Sequence, residues 1–198
     1  MKRTICTTVL ASLVVAGSAS ADLMWDEAID GDLSGDYLNP TQLFTKGVNN
    51  HVIFTTVGGN PEADREYFTF TIEEGYQLSA LILDGFATDP ETNLAFLGVA
   101  EGSVFPTGPD APDVTTLLGY ALIGLSDVGN DILQIIGQGG GSQQFSGPLG
   151  PGTYTWWAQE TGPSTDDWDL NFVVTEIPAP GAFVLLGIAG LMGARRRR

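Results

Sequence analysis

Every second side chain from Phe68 to Ile72 in Tyr67-Phe68-Thr69-Phe70-Thr71-Ile72 is large and apolar. The same rhythm runs from Trp168 to Val174, where Trp168, Leu170, Phe172 and Val174 share one parity. A strand sends alternate side chains to opposite faces, whereas a helix would scatter such a set around its surface. Both segments therefore read as half-buried strands. Leu78 to Leu83 and Leu94 to Val99 are apolar on both parities and read as central strands, and Val52 to Thr56, Leu117 to Ile123 and Gly152 to Gln159 are further candidates. Turn chemistry separates them at Gly58-Gly59-Asn60-Pro61, Glu73-Glu74-Gly75, Asp89-Pro90 and Gly108-Pro109-Asp110. Helix is expected only around Gly129 to Ile136, with Asn130 or Asp131 as its cap. Gly137 to Gly152 carries seven glycines and reads as a loop within the domain, because a strand pattern resumes at its end. The expectation is an all-β chain: a single antiparallel β-sandwich, jelly-roll-like, of about eight strands.

The charge is as uneven as the hydrophobicity is regular. The 198 residues hold 24 acidic and 8 basic side chains, for a formal net charge of −16. Six of the basic residues sit at the extreme ends, so between Asp22 and Glu176 only Lys46 and Arg65 oppose all 24 acids, a formal −22. Nucleic acid is excluded as a partner, since phosphate binding needs clustered Lys and Arg. Electrostatic docking to anionic lipid is disfavoured on the same ground. The one cysteine, Cys6, excludes a disulfide framework and a cysteine-based zinc site.

The ends read as targeting segments. Met1 to Ala21 has the three parts of a secretory signal peptide: Lys2 and Arg3, an apolar run from Ile5 to Gly17, and Ala19-Ser20-Ala21 before Asp22. At the other end, Ile177-Pro178-Ala179-Pro180-Gly181 precedes the apolar Ala182 to Ala194 and the closing Arg195, Arg196, Arg197 and Arg198. A helix from Gly181 to Ala194 would be about 21 Å long against a hydrocarbon core of about 30 Å, short for a permanent anchor. The arginines would hold the terminus on the cytoplasmic side. A Pro-x-Pro motif, a short apolar helix and an arginine run, in that order over Ile177 to Arg198, resemble the PEP-CTERM sorting signal of Gram-negative bacteria. The resemblance implies transient inner-membrane insertion, recognition by an exosortase-type sorting enzyme, and delivery to the cell surface or extracellular matrix. Ala179 stands where the usual Glu would be. A single-span C-terminal anchor is the alternative.

A second resemblance concerns the core. Glu66-Tyr67-Phe68-Thr69-Phe70-Thr71 with Gly75 and Leu78, then Leu149-Gly150-Pro151-Gly152-Thr153-Tyr154 and Asp169-Leu170-Asn171-Phe172, is similar to bacterial pre-peptidase C-terminal domains, which are secreted jelly-roll sandwiches. Gly31-Asp32-Leu33-Ser34-Gly35-Asp36 with Asn39-Pro40-Thr41 looks like exported proteins bearing the same sorting tail. Neither resemblance brings catalytic residues.

Three places invite a chemical reading. Asp30, Asp32 and Ser34 alternate and are followed by Gly35 and Asp36, like the first half of an EF-hand loop, but Thr41 occupies the twelfth position where a bidentate Glu belongs. Two readings stay open: an acidic turn, which the missing Glu favours, or a looser calcium site completed by a distant carboxylate or water. Asp166, Asp167 and Asp169 form a second acidic group, read most simply as a solvated strand entry with Trp168 inward and Asp169 outward, with a metal site as the alternative. Trp156 and Trp157 are adjacent and must face opposite sides. Trp157 shares its face with Thr155 and Gln159, so it is either an exposed platform for a sugar ring or packed beneath the glycine-rich loop.

Catalysis finds little support. His51 is the one histidine, and no nucleophile elbow or phosphate-cradling loop accompanies it. The expected function is non-catalytic: an exported surface or matrix protein with a structural or interaction role in envelope or biofilm. The alternative is a lectin-like module that binds extracellular polysaccharide, with or without calcium; a secreted hydrolase is the remote one.

Overall fold

The computed structural model describes residues 21–59 and 63–178. The expected signal segment up to Ser20, and the tail from Ala179 through Pro180 to Arg195, Arg196, Arg197 and Arg198, lie outside the described residues. Among the described residues the strands are β1 (Ala21–Asp26), β2 (Thr41–Gln42), β3 (Asn49–Val57), β4 (Arg65–Ile72), β5 (Tyr76–Thr88), β6 (Ala95–Glu101), β7 (Gly119–Ile123), β8 (Gly152–Glu160) and β9 (Thr165–Glu176). They form two sheets, one of four strands in the order β1-β3-β9-β5 and one of five in the order β2-β4-β8-β6-β7. The fold is therefore the all-β sandwich that the alternation predicts. Most pairings are antiparallel; β1 joins β3 and β2 joins β4 in parallel, because each reaches its neighbour across an intervening segment and not through a hairpin. Among the described residues no helix is long and apolar enough to cross a membrane.

The core follows the parity. Phe68, Phe70 and Ile72 from one sheet meet Phe54, Trp168, Leu170 and Phe172 from the other, all 2% exposed or less. Phe54 stacks on Trp168 with ring centroids 5.6 Å apart, and Phe172 meets Phe70 and Trp156 edge-on at 5.0 Å each. Each such pair adds about 0.5–1.5 kcal/mol beyond the area it buries.

Two expectations need correction. Leu78 to Leu83 does not lie in the middle of a sheet: β5 is the last strand of its sheet. Its free edge is closed by irregular chain, with Gly129 N donating to Leu83 O, Ile132 N to Leu81 O, and Leu78 and Leu149 exchanging both bonds. One turn of helix that the sequence did not suggest, α1 (Glu27–Asp30), follows β1, and the expected helical stretch is shorter, α2 being Leu133–Gly137. Asp131 does act at the start of α2, where its Oδ1 accepts from Leu133 N, and the same oxygen accepts from Leu81 N of β5. The glycine-rich stretch lies along β7, where a Cβ on Gly139 would sit 2.6 Å from the Tyr120 carbonyl oxygen.

The five-stranded sheet is covered on both faces. Its outer side carries Tyr67, Ala100, Phe105, Leu117 and Trp157 as a second buried cluster, roofed by residues 102–118. Backbone bonds pin that roof: Gly102 N donates to Thr153 O, Phe105 N to Tyr37 O, and Leu118 N to Val99 O.

Candidate functional site

Of the two open readings of Trp157 the structure takes the buried one. It is 4% exposed and stacks on Tyr67 at 5.6 Å, with Phe96 at 4.7 Å and Phe105 at 5.4 Å. Thr155, expected on a solvent face, is fully buried, and its hydroxyl donates to Gly102 O. The cover is the segment 102–118, not the glycine-rich loop. A buried indole offers no platform for a pyranose, so the alternative reading of Trp157 as a glycan contact has no surface here.

The EF-hand-like stretch is dispersed in the same way. Asp26 caps α1 by accepting from Ala28 N, and the backbone then reverses at Gly31, whose φ of +91° suits glycine. Asp30 Oδ2 accepts from Asp26 N. Asp36 accepts from Leu38 N and from the Asn39 amide, which hold its carboxyl below the usual range. Ser34 bridges to Tyr67 of β4, its carbonyl accepting from Tyr67 N. Asp30, Ser34 and Asp36 are thus engaged locally, and of the four expected calcium ligands only Asp32 enters a carboxylate cluster.

That cluster joins Glu27, Asp32 and Glu66, each offering one oxygen within 4.8 Å of the others. The chain builds it from three directions. The turn after β1 aims Glu27 at β3, where Oε2 accepts from Thr55 N at 2.8 Å and Oε1 accepts from Leu33 N at 3.3 Å. Asp32 follows the Gly31 reversal and stays exposed. Glu66 shares parity with Phe68, Phe70 and Ile72, so it points between the sheets; it is 0% exposed, no N–H or hydroxyl donates to its oxygens, and only the Asp64 carboxyl lies at hydrogen-bond distance. Burial, reinforced by the charges of Asp64, Glu27 and Asp32, pushes the Glu66 carboxyl up to about 9. Burial also raises Glu27 and Asp64, with Asp32 adding to each.

More acid is buried at this end of the sandwich, where β8 turns into β9. Asp166 is 0% exposed and both its oxygens lack partners, which corrects its expected place on a solvated strand entry. Asp167 and Asp169, of the other parity, do face outward and bond Thr55 Oγ1 and His51 respectively. Glu160 is 2% exposed; its Oε1 accepts from Asn93 and from Gly162 N, while Oε2 has no partner.

His51 lies on the outer face of β3. Its Nδ1 is 2.7 Å from Asp169 Oδ1 and its Nε2 is 3.6 Å from Asp84 Oδ2. Asn171 donates to that same Asp84 oxygen at 3.1 Å. Carboxylates face both ring nitrogens, and among the described residues no hydroxyl bonds to the ring. The group ties β3, β5 and β9 together side chain to side chain.

The sequence reading named Asp32 but missed Glu27, Asp64 and Glu66. One signal was available: carrying the Phe68–Phe70–Ile72 parity back one step places Glu66 on the core face. No family model, no curated protein and no solved structure matches the chain.

Proposed function

We propose that this chain is an exported, non-catalytic β-sandwich protein with a structural or interaction role in the envelope or biofilm matrix. On this reading an exosortase-type enzyme sorts it through the tail Ile177 to Arg198 after transient insertion of the apolar helix into the inner membrane. It works at the cell surface or in the extracellular matrix of a Gram-negative-type bacterium.

The observation that carries the reading is the arrangement of the two ends around a very acidic sandwich. An apolar leader with a small-residue cleavage site precedes Asp22, and the Pro178-Ala179-Pro180 motif, short apolar run and arginine cluster follow Glu176. Strand β1 starts at Ala21 and β9 finishes at Glu176, so removal of both ends takes at most one strand residue. The formal −22 between them favours solubility through self-repulsion.

The test is deletion of Ile177 to Arg198 in a bacterium that carries a sorting enzyme for such tails, followed by cell fractionation. The full chain is expected at the cell surface and the truncated chain in the periplasm or medium. Equal surface retention of both would overturn the sorting role of the tail.

A further inference from the structure

Glu66 is the most exposed to challenge of the buried groups, because its carboxylate sits in the sandwich interior with no donor opposite it. An ionised carboxylate out of water needs hydrogen bonds, a cation or a proton. Among the described residues no N–H or hydroxyl reaches either Glu66 oxygen, and the one group at hydrogen-bond distance is the Asp64 carboxyl, which bonds to it only across a shared proton. The groups gathered around it are Asp32, Glu27 and Asp64, which bear the same sign and make ionisation harder. Once the Glu66 proton is gone the arrangement is unfavourable as a protein-only cluster, and it is ordinary as a set of metal ligands.

We propose that Glu66, Asp32 and Glu27 bind a calcium ion, which ties the N-terminal arm to the five-stranded sheet. The donor set is all oxygen, which selects hard cations over zinc or copper. The three oxygens lie within 4.8 Å of one another. Calcium accepts an irregular set of oxygens, whereas magnesium demands a near-ideal octahedron and gives up its waters reluctantly, so three carboxylates drawn from separate segments suit calcium better. Asp32 is exposed and gives the ion a route to water, which fills the remaining coordination positions. Glu27 already holds Thr55 of β3 and Leu33 through backbone bonds, while Glu66 belongs to β4. A cation among the three therefore links both sheets and the turn after β1. In an exported protein such a site belongs with the extracellular modules, which bind at about 0.1–1 mM. The site itself does not depend on export, so its test in purified protein is separate from that of the sorting tail.

Thermal melts and terbium luminescence, terbium being excited through the tryptophans as a stand-in for calcium, read the site in the full-length chain. Calcium is expected to raise the melting temperature saturably, magnesium at the same concentration to raise it less, and terbium to bind and be displaced by calcium. Asp32→Asn, at an exposed position that leaves the fold undisturbed, weakens the response about tenfold or more through the loss of one charged ligand. Glu66→Gln, an isostere that needs no counter-charge, folds without calcium and loses the response. Asp36→Asn, outside the cluster, responds like the unaltered chain. The proposal is overturned by no calcium shift up to 10 mM (on the order of ten times the expected affinity range), by an equal response to magnesium, or by a calcium response unchanged in Asp32→Asn.

Discussion

Glu66 sets the terms at the scale of single residues. Its carboxyl has a folded value of about 9, raised first by burial and then by Asp64, Glu27 and Asp32, against an ordinary value of 4.5. Between those values the folded chain binds a proton that the unfolded chain has released. Stability of the metal-free protein therefore falls as pH rises through this window. Glu27 and Asp64 are raised as well and act in the same direction. The expected outcome is a melting temperature in chelator that declines from pH 5 to pH 8.5, with a shallower decline in Glu66→Gln. Equal slopes in the two proteins would show that Glu66 ionises freely. Parity made this residue legible in principle, because Glu66 opens the very alternation that identifies β4. Its neighbours were not legible: Glu27 and Asp32 arrive from a turn more than thirty positions away, and nothing local says that Gly31 reverses the chain toward β4.

Elements were legible where their apolar pattern is long, as in β4 and β9, and obscure where a distant segment completes them. Strand β2 is two residues long and is extended by Leu43 N donating to Thr69 O, a contact with no periodicity to betray it. Strand β5 reads as central because it is apolar on both parities, yet its second neighbour is the irregular chain at 129–132 and Leu149. Trp157 shows the same limit. Parity correctly put it on the face opposite Trp156, but the roof over that face is built by residues 102–118, 39 to 55 positions earlier. Trp157→Ala is accordingly a core substitution. It is expected to lower unfolding stability by about 3–5 kcal/mol, as large-to-small changes of buried aromatics do. Urea denaturation checks this; undiminished stability would mean that the roof lifts and leaves the indole at the surface.

Taken whole, the chain is a strongly acidic sandwich whose sequence continues at each end into an apolar run. The sandwich could be foreseen from alternation and turn residues; the reading of the two ends as targeting segments rests on sequence alone, on their order of charge, apolar run and small or proline residues. What the sandwich holds was less accessible, because the cation cluster depends on side chains that only the folded topology brings together. The reading as an exported, tail-sorted protein is tested most directly by the intact mass of the chain recovered from the surface of cells that express the full sequence. The account predicts a chain that begins at Asp22 and ends upstream of Arg195, with both targeting segments removed. A surface chain that still began at Met1 or ended at Arg198, or recovery of the full chain from the cytoplasm alone, would contradict it.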